Sequence, residues 1–283
     1  MTKGKGKSYR PLKQFGQHWL KSEAVLNQII ATSELTQSDR ILEIGPGLGV
    51  LTRLLLEKAG AVTSVEIDYN LCPKLVKKFG DLDNFLLLQG DFIELDLVEL
   101  LQPFPKFQQP NKIVANIPYN ITSLILEKVF GTIEQPNDCD YQFVVLLIQK
   151  EVGDRLCAQP GTKAYSALSV RMQYLADCEL VCDVPAEAFY PKPKVDSVVV
   201  KLRPKEIINP ADNSKQLATL IKLGFGKRRK MLRNNLKGLI ASEILDQFLS
   251  ELEINPQARA ENLSVRDWIN LSNSFSRLDS SSS

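Results

Sequence analysis

The sequence predicts a doubly wound α/β sheet followed by a small helical module, on three observations. Short β-rich runs alternate with helical stretches from about residue 24 onward. Those runs are mostly apolar rather than alternating, as strands covered on both faces require. Strand character then stops after Arg203-Pro204. The length of 283 residues suits one larger domain plus a smaller one, and 44% hydrophobic with 24% charged residues fits a globular chain with a real core.

The elements follow in order. Arg40–Ile44 reads as the first strand of the sheet, then a Gly-rich turn and an amphipathic stretch at 50–59. Ala61–Ile67 is a second strand with a helical stretch near 70–79, Phe85–Gln89 a third, Lys112–Ala115 a fourth and Tyr141–Ile148 a fifth. Glu179–Val184 and Val195–Leu202 are two more, joined by a Pro-containing loop too short for a crossover helix, so this last pair is expected to be antiparallel. Pro204–Asn213 reads as a linker, residues 214–275 as helical, and Ser280–Ser283 as a disordered tail. The expected domains are 1–204, with 1–12 a flexible basic tail, and 205–283.

Net charge is only +2, so no global field pulls the chain toward polyanions. The distribution is uneven, however. Residues 1–21 and 222–237 each carry several Lys and Arg and no acid. Phe225–Ile240 reads as a basic amphipathic helix, with Leu232, Leu236 and Leu239 on one face and Lys227, Lys230 and Lys237 on another. With Arg228, Arg229 and Arg233 it makes a candidate phosphate-tracking surface. A calmodulin-target or membrane-surface helix would look similar.

The N-terminal MTKGKGKSYRP is basic without an apolar core, so a plain cytosolic N-terminus is expected rather than a secretory signal, with a transit peptide as the alternative, and no apolar run is long enough to span a bilayer. An odd count of 5 cysteines without a tight framework suggests a reducing compartment. With 1 histidine in the chain, the spacing of Cys178 and Cys182 is not expected to hold zinc, and no metal is expected elsewhere.

The motifs that carry chemistry fall at successive strand ends. E-I-G-P-G-L-G at 43–49 would let the backbone turn sharply and approach a ligand at Gly45 and Gly47. Alone, that loop fits a dinucleotide site or a structural turn as well. Glu66, in V-E-I-D, is placed to accept hydrogen bonds from both hydroxyls of a ribose, and Asp91, in Q-G-D, from an adenine amine. Open α/β sheets bind ligands along that edge.

The fourth strand runs straight into Asn116-Ile117-Pro118-Tyr119. An amine on an aromatic base is a poor nucleophile because its lone pair is delocalised into the ring. Accepting its N–H hydrogens at Asn116 Oδ1 and at a backbone carbonyl of the Ile117-Pro118 step turns that lone pair toward an electrophile. Pro118 fixes the turn, and Tyr119 offers a ring for a flipped-out base. Against a sulfonium methyl donor, proximity and orientation suffice.

Taken together, Q-F-G-Q-H-W-L (14–20), L-E-I-G-P-G-L-G-V-L-T (42–52), V-E-I-D (65–68), Q-G-D (89–91), N-I-P-Y-N-I-T-S (116–123), Q-K-E-V (149–152), F-Y-P-K-P-K-V-D-S (189–197) and F-G-K-R-R-K-M-L-R-N-N-L (225–236) make the chain resemble the ribosomal RNA adenine N6,N6-dimethyltransferases over about residues 12–275. The resemblance implies a Rossmann-like S-adenosylmethionine-dependent methyltransferase sheet with a helical C-terminal RNA-binding domain. It implies that His18, Leu20, Gly45, Gly47, Glu66, Asp91 and Asn116 hold S-adenosylmethionine. It also implies that Asn116, Pro118 and Tyr119, with Phe189 as a second aromatic wall, hold the adenine. Lys227, Arg228, Arg229, Lys230 and Arg233 would contact RNA. The implied substrate is a pair of adjacent adenosines near the 3′ end of 16S rRNA in an immature 30S subunit, acted on in the cytoplasm by a monomer. A resistance-type methylase of 23S rRNA shares the catalytic loop, and a non-catalytic nucleic-acid-binding factor derived from the family is a third reading. Ile117 and Trp19 stand where many members carry Leu and Phe.

Overall fold

The computed structural model describes residues 16–138 and 141–281. In chain order the elements are β1 (Trp19–Leu20), α1 (Glu23–Thr32), β2 (Arg40–Ile44), α2 (Val50–Lys58), β3 (Ala61–Glu66), α3 (Cys72–Phe79), β4 (Phe85–Gln89), α4 (Leu97–Leu101), β5 (Lys112–Asn116) and α5 (Thr122–Phe130). They continue with β6 (Phe143–Gln149), α6 (Lys150–Leu156), α7 (Ala167–Leu175), β7 (Ala176–Val184), β8 (Phe189–Tyr190), β9 (Ser197–Pro204), α8 (Ser214–Gly224), α9 (Leu232–Leu236), α10 (Ser242–Glu251) and α11 (Val265–Ser281). A 7-stranded sheet has the order β4-β3-β2-β5-β6-β9-β7, and its β2–β3, β3–β4 and β2–β5 pairs are parallel. Burial on both faces explains the apolar strand sequences: all six residues of β3 are buried, as are Lys112–Ala115 of β5.

The chain divides into two compact units. The first takes in the chain up to Ile125, with Val144–Gln149 and Cys182–Val199. Side-chain caps start two of its helices: Ser22 accepts the Val25 N–H at α1, and Asp96 accepts the Val98 and Glu99 N–H groups at α4. At the N-terminal ends of the strands a buried ion pair closes the sheet. Lys112 Nζ lies 2.9 Å from Asp39 Oδ2, with both side chains 4% exposed, and also donates to the Glu34 carbonyl at 2.8 Å. Asn111 and Thr36 donate to the same Asp39 carboxylate.

A second, antiparallel sheet has only two strands, β1 and β8, pairing Trp19 with Tyr190 and Leu20 with Phe189. The Lys21 N–H extends it by donating to the Ala188 carbonyl at 2.7 Å. Strands of two residues carry no periodicity that sequence reading can detect.

The second unit holds Leu126–Phe143, Lys150–Val181 and the chain from Val200. Its centre is Trp268, wholly buried, with Phe225 at 5.8 Å between ring centroids. A Cβ on Gly224 would lie 2.5 Å from the Trp268 ring, so only glycine fits there. Here the expected helix over Phe225–Ile240 is corrected. Residues 225–231 form turns, and only Leu232–Leu236 is helical. Asn235 Nδ2 donates to the Gly224 and Lys227 carbonyls, and the Leu232 N–H to the Ala258 carbonyl, so these groups serve the turns rather than an i→i−4 ladder. Leu232 and Leu236 are buried as expected, while Leu239 is 47% exposed. At the other end of the unit, α11 continues to Ser281, so Ser280 and Ser281 are helical rather than a loose tail.

Candidate active site

Every residue that builds the site belongs to the first unit. The chain leaves β2 through Gly45, Gly47 and Gly49, at φ of 69°, 58° and 74°, a region L side chains rarely adopt. Space restricts two of them further. A Cβ on Gly49 would lie 2.5 Å from the Phe79 ring, and one on Gly47 3.0 Å from the Trp19 indole. Gly45 differs, because a Cβ there would meet only Pro118 Cδ at 3.9 Å. Its Cα therefore faces open space, and it lines two adjoining cavities of about 60 and 30 Å³.

Glu66 closes the end of β3 and is 3% exposed. Its Oε2 accepts the Gly47 N–H at 3.0 Å and its Oε1 the Asp68 N–H at 2.9 Å. Burial raises its pKa, and those two backbone bonds oppose the rise. Each oxygen keeps a further lone pair for a hydroxyl donor. Gln17 Nε2, donating to Asp68 Oδ2 at 2.8 Å, ties the N-terminal segment to the same strand end.

Asn116 lies at the C-terminal end of β5 and lines both cavities. Its Nδ2 donates to the His18 carbonyl at 3.1 Å. A carbonyl can only accept, so the amide orientation is fixed and Oδ1 is the atom left to accept from a ligand. His18 has two further anchors. Its Nδ1 lies 2.7 Å from the Pro191 carbonyl, so that nitrogen carries the proton, and its ring stacks on Tyr119 at 5.7 Å with 20° between planes. The Tyr119 hydroxyl lies 2.6 Å from Ser197 Oγ. Burial holds the phenol above its usual pKa, with the Ser197 bond opposing, so the ring is neutral.

The larger cavity thus gathers His18, Gly45, Gly47, Glu66, Asn116, Pro118 and Tyr119, together with Trp19 and Ile117. Leu20 lines the smaller one. Asp91 lines neither; its Oδ1 accepts the Ile93 N–H at 2.9 Å, and Oδ2 has no partner among the described residues. Phe189 also lines neither and is 2% exposed, whereas the next residue on β8, Tyr190, is 58% exposed. Strand alternation puts the two on opposite faces.

Among the site residues that sequence reading does not single out, Glu43 carries the most chemistry. Glu43, on β2, lines the smaller cavity with its carboxylate accepting from Thr52 Oγ1 and Ser64 Oγ, each at 2.7 Å. Burial pushes its pKa up to about 7, the hydroxyl bonds oppose this, and the nearby Glu66 charge adds to it. Its signal in the sequence is an acid flanked by apolar strand residues, two positions before the first glycine.

In the second unit, Lys227, Arg228, Arg229 and Lys230 occupy the exposed turn. Arg228 Nε pairs with Glu261 at 3.1 Å, and the half-buried Arg233 with Asp246 at 3.4 Å. The charged heads of Lys227, Arg229 and Lys230 have no partner among the described residues.

Residues 10–277 match the family model of ribosomal RNA adenine dimethylases. The chain is similar to the ribosomal RNA small subunit methyltransferase A of Crocosphaera subtropica, at 58% identity over 95% of this chain and 99% of that one. To its counterpart in a Picosynechococcus species the identity is 59%, over 93% and 96%. Among solved structures it resembles a dimethyladenosine transferase from Plasmodium falciparum, with a TM-score of 0.75 and 28% identity over 91% of this chain and 97% of that one. It also resembles the 23S rRNA methyltransferase ErmE, at 0.69 and 27% over 92% and 99%.

Proposed function

The chain belongs to the ribosomal RNA adenine dimethylases, and from that premise we propose that it dimethylates N6 of two adjacent adenosines in the 3′-terminal hairpin of 16S rRNA, using S-adenosylmethionine. The observation that carries the reading is Asn116, whose Nδ2 is committed to the His18 carbonyl and whose Oδ1 is left to accept.

The donor set at the glycine loop fits the cofactor. Glu66 offers a carboxylate for a ribose diol, Asp91 Oδ2 an acceptor for an adenine amine, and Gly45 a backbone with open space in front of it. His18, Leu20 and Gly47 complete the holding residues. When bound, the cofactor supplies a methyl group on a sulfonium, an electrophile that needs no further activation.

The chain's own residues position the nucleophile. Asn116 Oδ1 and the Ile117 carbonyl accept the two N–H groups of the target amine, which raises the nitrogen lone pair out of conjugation. After the first transfer one N–H remains, and one acceptor holds it for the second. Pro118, at φ −60°, sets the turn and offers no competing N–H. Tyr119 stacks the extruded base. The wall role assigned to Phe189 requires its ring to be uncovered, since it is 2% exposed in this conformation.

Residues 205–283 act as the RNA-binding part, with Lys227, Arg229 and Lys230 on phosphates. Arg228 and Arg233 act from within ion pairs. The partner is the immature small subunit, met in the cytoplasm by a monomer. No helix among the described residues is long and apolar enough to cross a membrane.

The likeness to ErmE makes large-subunit RNA the second reading; the identity of about 58% to small-subunit enzymes over nearly full length favours the first. Labelled S-adenosylmethionine, incubated with immature small subunits and with large subunits from a strain lacking both modifications, separates them. Label confined to the 3′-terminal hairpin supports the proposal, and label in large-subunit RNA selects the alternative. No label in either favours a non-catalytic role.

A further inference from the structure

We propose that Ser197 is a positioning residue for methyl transfer, acting through the Tyr119 hydroxyl. The inference rests on the reading above, in which Tyr119 stacks the target base.

Tyr119 leaves the chain in a 3-10 turn, with no hydrogen-bond ladder of a long helix to fix its direction. A tyrosine ring turns about two side-chain torsions, so its backbone alone does not set the plane of a stacking wall. The far end of the ring supplies that constraint. The hydroxyl lies 2.6 Å from Ser197 Oγ, which is wholly buried at the start of β9. The bond joins residues 78 positions apart, so it anchors the loop after β5 to a strand that arrives much later in the chain. Ser197 Oγ is out of reach of water, so losing the tyrosine would leave a buried hydroxyl unpaired, which is costly. His18, stacked on the ring at 5.7 Å, limits rotation on that side. Asn116 and Tyr119 are thus held by separate anchors, Asn116 by the His18 carbonyl and Tyr119 by Ser197. The first aims the acceptor for the amine, and the second aims the plane on which the base rests. Stacking geometry is worth about an order of magnitude in rate or more when it fixes a reacting atom.

The test is a double-mutant cycle with Ser197→Ala, Tyr119→Phe and the pair, assayed by methyl transfer to small subunits under single turnover and steady state. The expected result is a loss in kcat of about tenfold for each single variant, with KM for the subunit unchanged because phosphate contacts set it. The double variant is expected to be no worse than either single one. Wild-type rates in Ser197→Ala would overturn the proposal. So would equal, additive losses in both backgrounds, the signature of a purely structural serine. Should Ser197→Ala fail to fold, Tyr119→Phe removes the same bond and must by itself lose about tenfold; full activity there overturns the proposal too. An inactive wild type overturns the proposed function and this inference with it, whereas an active wild type with an unaffected Ser197→Ala overturns this inference alone.

Discussion

Strand β5 ends in two different ways. At its N-terminal end Lys112 is buried against Asp39, and the pair is completed by Asn111, Thr36 and the Glu34 carbonyl. Burial works against the Asp39 carboxylate, yet the bonds from Lys112, Asn111 and Thr36 hold its pKa below the usual range. At the C-terminal end Asn116 satisfies only half its amide, and Oδ1 remains open beside a cavity. One end spends its polar groups on each other and holds the sheet. The other leaves acceptors unspent, as a site needs for a ligand. Five residues of one strand therefore carry a stabilising polar cluster and a chemical one.

The largest effect is expected at the first end. Lys112→Met leaves the Asp39 carboxylate buried without its cation, which should cost about 3–5 kcal/mol in urea unfolding. Methyl transfer per folded molecule should be unchanged; a matching loss of activity would break the contrast between the two ends. Asn116→Ala should do the reverse. Its stability should stay near wild type while turnover falls about 10²–10³-fold, the size typical of removing one preorganised polar group from a reacting centre. Turnover near wild type would remove Asn116 from its role.

Glu43 sharpens the comparison, because it is buried like Asp39 but has no cation. Its pKa of about 7 when folded lies above that of an unfolded chain, so the folded state binds the proton more tightly. Its contribution is fully present below the ordinary carboxylate range and is lost as pH rises through about 7. Glu43→Gln should abolish that slope, gaining up to roughly 3 kcal/mol relative to wild type at pH 8 and little at pH 4. Parallel stability curves for the two proteins would contradict the assignment. The smallest effect is expected in the basic turn. Alanine at Lys227, Arg229 or Lys230 should each lower the salt slope of RNA binding by about 0.7–1, and alanine at the paired Arg228 by less. An equal change at all four would show that pairing with Glu261 does not matter.

Much of this was legible in sequence because it is local. The apolar runs of β2 to β6, the glycine loop, Glu66 and the Asn116–Tyr119 turn all follow from neighbours in the chain. What sequence did not show depends on distant partners. Lys112 looked like the first residue of a strand, and nothing near it announces Asp39. The β1–β8 pairing, which brings His18 to Asn116 and buries Phe189, joins segments far apart in two-residue strands. Ser197 read only as the last letter of a motif. The leucines of the basic stretch keep helical spacing, yet Asn235 and the Ala258 carbonyl fold residues 225–231 into turns.

The proposed function meets its most direct test in the RNA product itself. Small subunits from a strain lacking the modification would be incubated with the protein and S-adenosylmethionine, and the 3′-terminal fragment digested and weighed by mass spectrometry. Sampled when the wild type has just reached completion, two adjacent N6,N6-dimethyladenosines are expected with the wild type and almost wholly unmodified adenosines with Asn116→Ala. Unmodified adenosines with the folded wild type, or dimethylated ones with Asn116→Ala, would contradict the role given to the C-terminal end of β5.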